Sequence, residues 1–473
     1  MEDAPVVPKG TGACTCLRVV FGAGGNLART KFIPAVTNDM MSVPKSERWK
    51  WPTLWADMIP IDDFGEYLTT RLQTESPATL KLEAWADLLA TAEFKQVGQT
   101  AEEARELFAE VVQFLRHNPK ATVQFYLAVP YGANIRILEW AAHYLGDAGV
   151  GNRLYFFSEK PLEITPDALL TIKGLLTKMG VAEDHFGIVE HFALKPFFEE
   201  ALCPESPLAK LMTQIGTRRW KKVLFVVKEK IGTEGRVYDG IGVDSMLNHH
   251  AFMEAVVFMS LLRELRSDSD QRKGVLLAQI LCELRRRMVL PSGQYFVCRD
   301  DYNPPSSKPH SQSEQYVPTG IHLRYDVRLG EGEMVEVEST HTKNTDEKVT
   351  RARIEGDNWS LDLLMDGFKK GIRGFGWRLV EDDKIVEEHF EALPLERACG
   401  YPEVARAVRL KQMGKFMPSV FQRCSNELFM PLLLLLDQTP IGERIWFDKG
   451  ENVMARVNAD VLRPLHHRAE ALA

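Results

Sequence analysis

The chain has 473 residues, of which 45% are hydrophobic and 26% are charged, and its formal net charge is −7 at pH 7. This length is more than one compact core usually supports, so we expect two domains of an ordinary globular protein. The acidic balance argues against a general nucleic-acid-binding protein, which usually has a basic excess.

The cysteine content and the hydropathy exclude further classes of protein. Seven cysteines in a chain of this length do not indicate a disulfide scaffold. Cys14 and Cys16 are one residue apart, which matches neither a CxxC redox pair nor half of a zinc site, so no metal site is predicted. The longest apolar run, near residues 432–436, is too short to span a membrane, and the N-terminus resembles neither a signal nor a transit peptide. We therefore predict a reducing, cytoplasmic compartment and no membrane partner.

The N-terminal region contains a glycine-rich turn between a strand and a helix. Residues 1–15 lack periodicity and are predicted to be disordered. A buried strand at 17–21 runs into Gly22-Ala23-Gly24-Gly25-Asn26-Leu27, and helical apolar spacing begins at Ala28. Such a loop can bind a pyrophosphate, because glycines allow close approach and the helix N-terminus offers free N–H groups. The full GxGxxG pattern fails at Leu27, so a glycine turn without a ligand is the alternative.

Further strand and helix units continue to about residue 189. Strands are predicted at 53–59, 123–129, 153–157 and 187–189, and helices at 101–115, 135–145 and 169–179. Alternating strands and helices form a mostly parallel sheet covered on both faces. Ligands of such sheets bind beyond the C-terminal strand ends, where Gly22, Pro130 and Lys160 fall. We predict a Rossmann-like, doubly wound α/β domain over residues 16–188.

The pattern changes in the C-terminal half. Strands are predicted at 222–229, 321–327, 334–338 and 349–354, a long helix within 240–265, and an exposed loop at 300–316. We predict that residues 189–473 form an α+β domain with a mostly antiparallel sheet, a surface that often pairs subunits.

Two short stretches in the middle of the chain concentrate titratable side chains. They are Glu190-His191-Phe192-Ala193-Leu194-Lys195 and Asp244-Ser245-Met246-Leu247-Asn248-His249-His250. A histidine beside a carboxylate can accept a proton near neutral pH. A second histidine with a lysine forms a cationic cradle for phosphate. The pattern indicates proton removal from a phosphorylated small molecule; the alternative is that the histidines are buried helix residues and the charges are solvated.

Five motifs, in order, resemble those of the glucose-6-phosphate dehydrogenase family. They are Gly22-Ala23-Gly24-Gly25-Asn26-Leu27-Ala28, Ser158-Glu159-Lys160-Pro161-Leu162, the stretch from Glu190 to Lys195, the stretch from Lys228 to Arg236, and the stretch from Asp244 to His249. The resemblance covers nearly the whole chain. It implies oxidation of a sugar phosphate with a nicotinamide cofactor, and a homodimer or homotetramer.

The resemblance implies a role for each matching residue. His249 would be the general base and Glu190 the carboxylate that orients it. The residues expected to bind the sugar phosphate are Lys160, His191, Lys195, Glu229 and Asp244. Those expected to bind the cofactor are Gly22, Gly25, Asn26, Leu27, Lys31 and Asp57.

Several positions depart from the family pattern. Phe192 replaces a phosphate-binding tyrosine, and no lysine is found at Leu323-Arg324-Tyr325, where the family has one. The family cofactor is NADP, but Asp57 stands where an arginine binds the 2′-phosphate, which makes NAD the alternative. Three hypotheses follow: an active dehydrogenase, the same fold with altered cofactor or sugar choice, and a non-catalytic subunit of a larger assembly.

Overall fold

The chain divides into two compact units in a computed structural model. The first unit comprises residues 1–194 and 399–419, and the second comprises residues 195–398 and 420–473. The single boundary expected after residue 188 differs from this division, because residues 399–419 return to the first unit. The structure describes residues 14–61, 63–75, 82–229, 242–262, 273–289, 298–300, 320–330, 332–342, 345–394 and 400–437.

Two of the predicted segments fall mainly outside this description. Residues 1–13 of the expected disordered terminus and the expected loop at 300–316 lie outside the described residues.

The elements are numbered in chain order. The strands are β1 Cys16–Phe21, β2 Thr53–Asp57, β3 Ala92–Gln96, β4 Thr122–Leu127, β5 Leu154–Glu159, β6 Phe186–Val189, β7 Lys222–Lys228, β8 Met288–Val289, β9 Cys298–Asp300, β10 Gly320–Gly330, β11 Glu333–Thr342, β12 Val349–Glu355, β13 Trp359–Lys369, β14 Ile372–Glu381 and β15 Lys384–Ala392. The α-helices are α1 Ile33–Met40, α2 Phe64–Glu75, α3 Leu82–Leu89, α4 Arg105–His117, α5 Ala133–Leu145, α6 Pro166–Lys178, α7 Pro196–Ala201, α8 Pro207–Ile215, α9 Ala251–Phe258, α10 Lys273–Arg287, α11 Tyr401–Arg409 and α12 Ser419–Asp437.

The first unit contains a six-stranded sheet in the order β3-β2-β1-β4-β5-β6. Every pair of neighbouring strands is parallel. This is the strand order of a doubly wound dinucleotide-binding fold, so the Rossmann-like prediction is confirmed. The sequence did not reveal α2, α3 and β3; β3 reads Ala-Glu-Phe-Lys-Gln and lies at the sheet edge, where a buried hydrophobic run is not required.

Residues 400–419 complete the core of the first unit. Helix α11 buries Val404 and Val408 in the same cluster as residues of β1 and α1. Nε2 of the buried Gln124 in β4 donates to the carbonyl of Val408 at 2.8 Å. Gly400 begins the segment with φ +77°, and a Cβ there would lie 2.4 Å from the carbonyl oxygen of His191. Only glycine fits so close an approach at positive φ.

The second unit contains a nine-stranded sheet in the order β15-β14-β13-β12-β7-β11-β10-β8, with β9 also paired to β10. β7 and β11 are parallel, and the other pairs are antiparallel. The prediction of a mostly antiparallel C-terminal sheet is confirmed. Strands β13, β14 and β15 were not predicted. β15 is an exposed edge strand rich in charged residues, so it lacks the alternating apolar signal.

The long helix expected within residues 240–265 is present. A π-helical segment, Gly242–His250, continues directly into α9. All eight side chains of α9 are buried, because the helix packs inside the second unit rather than at its surface.

A buried hydrogen-bonded chain holds this helix against the sheet. Oγ of Ser245 lies 2.7 Å from Nδ1 of His341, and Nε2 of His341 lies 3.2 Å from Nδ1 of His250. Nε2 of His250 is 3.5 Å from Oε2 of Glu254, and the hydroxyl of Tyr325 donates to the same carboxyl group. Each of these five side chains is at most 3% exposed. We call this set the buried chain.

Burial keeps the buried chain uncharged at neutral pH. Desolvation lowers the pKa of His250 well below its ordinary value and that of His341 to about 3. It raises the pKa of Glu254 to about 8, although the hydrogen bond from Tyr325 acts against this rise. Hydrogen-bonding contacts join His250 to His341 and His341 to Ser245, and the neutral state places no charge in this desolvated set.

Cysteines and helix lengths complete the description. Cys282 of α10 and Cys424 of α12 form a disulfide, whereas Cys14, Cys16 and Cys203 are free thiols. The two bonded cysteines are 142 residues apart in the sequence, so no spacing pattern indicated this pair. Within the described ranges, no helix is both long and apolar enough to cross a membrane.

Replacement of Glu254 by glutamine tests the neutral state of the buried chain. The folded wild type binds a proton at Glu254 between the ordinary pKa of 4.5 and the raised pKa of about 8, so its stability falls as pH rises through that window. Glu254→Gln cannot ionise and keeps an oxygen that can accept the hydrogen bond from Tyr325. We expect its unfolding free energy, relative to wild type, to rise by up to about 1.4 kcal/mol per pH unit between pH 6.5 and 8.

Urea unfolding at several pH values measures this difference. Glu205→Gln is the matched control, because the Glu205 side chain is 87% exposed. A constant offset between Glu254→Gln and wild type over this range would show that Glu254 is ionised in the folded protein.

Candidate active site

The glycine loop lies at the C-terminal end of β1, in the first unit. Gly22 has φ +75°, and a Cβ there would lie 2.3 Å from the carbonyl oxygen of Ala128. Its N–H donates to the carbonyl of Ala56 at 2.9 Å, and the N–H of Gly25 closes the turn onto Gly22 at 3.0 Å. The loop is thus anchored to the ends of β2 and β4 and leads directly into the first helix. This is the arrangement in which backbone N–H groups can face a pyrophosphate.

Asp57 connects the loop to the end of β2. Its Oδ2 accepts a hydrogen bond from the N–H of Gly24 at 2.8 Å, and Oδ1 accepts one from the N–H of Ile59 at 3.1 Å. A Cβ at Gly24 would meet the same carboxylate at 3.2 Å. The structure therefore brings Asp57 to the glycine loop, at the strand end where dinucleotide-binding folds contact the adenosine ribose.

The other predicted cofactor residues lie on the loop or just after it. Asn26 and Lys31 are exposed, and Leu27 packs against the core cluster of the first unit. Nη2 of Arg29 lies 3.4 Å from Oδ1 of Asn26, and Nη1 donates to the hydroxyl of Tyr67 at 3.0 Å. Arg29 is therefore engaged with neighbouring side chains and is not simply a solvated cation.

Glu159 and Lys160 lie at the end of β5. The Glu159 carboxyl group is 3% exposed and accepts hydrogen bonds from the hydroxyls of Tyr126 and, at 3.2 Å, Tyr401. Burial raises the pKa of Glu159 to about 7, while the two tyrosines and the neighbouring Lys160 act to lower it. Lys160 is partly buried and precedes a cis peptide bond to Pro161.

Glu190 and His191 follow β6 in the same unit. Glu190 is 4% exposed, and its Oε1 accepts from the N–H of Phe192 at 3.0 Å. The His191 ring stacks on Tyr401, with ring centroids 5.2 Å apart. Tyr401 therefore contacts both Glu159 and His191. Sequence reasoning missed this residue, because it lies 242 residues after Glu159.

Lys195, the last residue of the third motif, belongs to the second unit. Its side chain is 5% exposed, and its Nζ lies 3.0 Å from Oδ2 of Asp366. Arg373 donates to both oxygens of Asp366 at 2.8 Å. Burial alone would raise the pKa of Asp366, but Lys195, Arg373 and Lys348 hold it well below its usual range. The sequence predicted Lys195 as a phosphate ligand and gave no signal for its carboxylate partner.

Glu229, Asp244 and His249 also belong to the second unit. Glu229 follows β7, and its backbone is held by Thr342 and Thr345 through hydrogen bonds of 2.9 and 3.0 Å. His249 is 4% exposed and lies on the π-helical segment that the buried chain anchors. The side chain of Asp244 lies outside what the structure describes.

The predicted site residues are therefore divided between the units. Lys160, Glu190 and His191 gather around Tyr401 and Glu159 in the first unit, and Lys195, Glu229 and His249 belong to the second. The pairing of Glu190 with His249 remains a prediction.

Tyr325 occupies the region where the family has a lysine. Its side chain is 1% exposed and contacts Glu254 in the buried chain. This position therefore supplies no cation to a ligand.

Known proteins share the N-terminal domain and the fold. Residues 19–177 match the family model described as glucose-6-phosphate dehydrogenase, NAD binding domain. A glucose-6-phosphate 1-dehydrogenase from Mycobacterium avium has a similar structure, with a TM-score of 0.64 and 19% sequence identity over 93% of this chain and 95% of that one. No curated protein sequence matches the chain.

A second solved structure is a glucose-6-phosphate dehydrogenase in complex with its substrate glucose-6-phosphate. It has a TM-score of 0.63 and 17% identity over 95% of this chain and 98% of that one. At these identities the likeness shows a shared fold. The N-terminal part of the chain therefore resembles the NAD-binding domain of the glucose-6-phosphate dehydrogenase family, and the chain as a whole shares the fold of these solved structures.

Proposed function

We propose that the chain is a nicotinamide-dependent dehydrogenase that oxidises C1 of glucose 6-phosphate, or of a related sugar phosphate, to the lactone. The observation that carries this proposal is the glycine loop. It lies at the end of β1, Asp57 is bound to it, and it belongs to a domain that matches the family's NAD-binding domain. The proposal concerns both units, since each contains part of the predicted site.

The loop suits a dinucleotide. A Cβ at Gly22 would collide with the carbonyl of Ala128, and a Cβ at Gly24 would lie only 3.2 Å from the Asp57 carboxylate, so both positions favour glycine. Gly22, Gly25, Asn26 and Leu27 would face the pyrophosphate, and Lys31 would lie near its charge. A bound nicotinamide would accept the hydride that leaves C1 of the sugar.

The protein's own residues would accept the proton and bind the polar groups of the sugar phosphate. His249 would take the proton of the C1 hydroxyl as the C1–H bond breaks, which leaves a lactone carbonyl. Glu190 would orient His249 and stabilise its imidazolium. Lys160 would hold the reacting oxygen. His191 and Lys195 would bind the phosphate, and Glu229 and Asp244 the sugar hydroxyls.

The surroundings of Lys160 support its role. Burial raises the pKa of Glu159 to about 7, and the neighbouring Lys160 favours its ionised form. The hydroxyls of Tyr126 and Tyr401 fix this carboxyl group in place. We expect Lys160 to be most firmly oriented when Glu159 is ionised.

Asp57 supports NAD rather than the family's NADP as the cofactor. Its carboxylate is fixed at the strand end by two backbone N–H groups. A negative charge there repels a 2′-phosphate and can accept from a free ribose hydroxyl.

A non-catalytic subunit is the second candidate. The observation that favours it is the loss of two expected phosphate or sugar contacts: Tyr325 is turned into the core, and Phe192 has no hydroxyl and is 3% exposed. Such a chain would serve as a binding or structural component of a larger assembly.

Subunit pairing through the C-terminal sheet is part of the proposal. β15 is an edge strand on which Ile385 and Val386 are 58% and 57% exposed. Exposed apolar residues on an edge strand are typical of a surface that another chain covers.

Absorbance at the reduced-nicotinamide band tests the proposed reaction. The purified chain is mixed with NAD or NADP, with and without glucose 6-phosphate. Reduction that requires the sugar phosphate supports the dehydrogenase. If neither nucleotide is reduced and neither raises the melting temperature, the non-catalytic candidate is favoured, because a ligand of the folded state must stabilise it.

Replacement of His249 by asparagine tests the general base. Asparagine cannot accept the proton, so we expect the rate of nicotinamide reduction to fall by about 10²–10⁴-fold. Sugar-phosphate binding, measured by calorimetry, should be nearly unchanged. The control is His389→Asn, on the exposed strand β15. Loss of binding together with activity would instead identify His249 as a packing residue.

Replacement of Asp57 by asparagine tests cofactor choice. Asparagine can still accept the hydrogen bond from Gly24 but carries no charge. We expect the ratio of NADP to NAD affinity to rise about tenfold, because a like-charge repulsion is removed. Asp63→Asn is the matched control: Asp63 is exposed and accepts from the N–H of Glu66 at 2.8 Å. An unchanged ratio in Asp57→Asn would mean that Asp57 only holds the loop.

A further inference from the structure

Three cationic side chains of the second unit converge on one buried carboxylate. Nζ of Lys195 donates to Oδ2 of Asp366, on β13, at 3.0 Å. Nε and Nη2 of Arg373 donate to Oδ1 and Oδ2 of the same carboxylate, each at 2.8 Å. The Nζ atom of Lys348, just before β12, lies 3.8 Å from Oδ2 of the same carboxylate. We call these four residues the cationic cluster.

The cationic cluster has more positive than negative charge. The charged groups that act on Lys348 are Asp366, Lys195, Arg373 and Glu229. Among these named groups, three cations, Lys348 included, face two carboxylates. Cations gathered at a largely desolvated site favour an anion that binds among them.

The members of the cluster differ in access to solvent. The side chains of Asp366, Lys195 and Arg373 are 2%, 5% and 13% exposed, whereas that of Lys348 is 37% exposed. Arg373 forms two parallel hydrogen bonds with Asp366, which hold the carboxylate in one orientation. Because Lys195 binds the same carboxylate, its position is fixed as well. Lys348 is beyond hydrogen-bonding distance of Asp366 and is the member that an incoming ligand can reach.

We propose that Lys348 is a specificity-determining residue that binds the phosphate monoester of the substrate together with Lys195, and that Asp366 and Arg373 position Lys195 for this contact. The inference rests on the proposed function and names residues for its phosphate specificity. It supplies a cation where the sequence lacks the family's tyrosine at Phe192 and its lysine near Tyr325.

Replacement of Lys348 by methionine tests the proposal. Calorimetry with the full chain measures binding of glucose 6-phosphate, inorganic phosphate and glucose. We expect Lys348→Met to weaken glucose 6-phosphate binding about tenfold or more, because a charged hydrogen bond is lost, and to leave glucose binding unchanged. Lys369→Met is the matched control, since Lys369 lies on β13, is 41% exposed and pairs with Glu388.

The pH dependence of binding gives a second readout. Burial lowers the pKa of Lys348 to about 8; Lys195 and Arg373 also lower it, while Asp366 and Glu229 oppose them. Lys348 is charged below this value and neutral above it, so wild-type affinity for inorganic phosphate should fall between pH 7 and pH 9.5. Lys348→Arg stays charged throughout and should keep its affinity across this range, and Lys348→Met should be weak throughout.

The outcomes separate this inference from the proposed function. If wild type and Lys348→Met bind glucose 6-phosphate equally, the inference is overturned while the dehydrogenase proposal stands. If phosphate binding depends on Lys348 but no nicotinamide is reduced, the anion site is supported and the dehydrogenase proposal fails. If the wild type binds neither phosphate nor glucose 6-phosphate, the inference is overturned. Melting temperatures of the variants show whether a loss of binding reflects unfolding.

Discussion

The hydrogen bond from the Tyr401 hydroxyl to the buried Glu159 carboxyl organises the first unit around its candidate site. The bond requires the chain to return at Gly400, where only glycine fits against His191. The same tyrosine ring supports His191, and Glu159 lies beside Lys160. One side chain from a late segment therefore links the ends of β5 and β6. A buried carboxyl group without such donors would have to stay protonated.

The second unit contains two sets of buried ionisable groups, one of which is neutral and the other charged. The buried chain around His250 remains neutral, because burial disfavours the charged forms of His250 and Glu254. The cationic cluster around Asp366 remains charged, because three cations surround one carboxylate. The first arrangement suits a rigid support for the helix that carries His249. The second gathers three cations at one place, which is the basis of the anion site that we propose.

The proposed role of Asp57 in cofactor choice is linked to the structure of the glycine loop. Its carboxylate holds this loop through Gly24, so the group proposed to disfavour a 2′-phosphate also shapes the loop proposed to bind the pyrophosphate. Exchange of this residue for an arginine would remove a loop contact as well as reverse a charge. Cofactor preference in this chain is therefore constrained by the packing of the loop and not only by the charge near the ribose.

From the sequence alone we could predict a mostly parallel first sheet, a mostly antiparallel second sheet, and candidate site residues at the ends of several strands. These features depend on local periodicity and on short motifs, which a single segment contains. The tertiary structure alone decided the partners of those residues: Tyr401 for Glu159, Asp366 for Lys195, and Glu254 for Tyr325. Each partner is separated by 71 to 242 residues, so no local pattern reports it. The disulfide likewise joins cysteines that are distant in the sequence. The charge state of each buried group also depends on the tertiary structure, because desolvation depends on what the whole fold packs around a side chain.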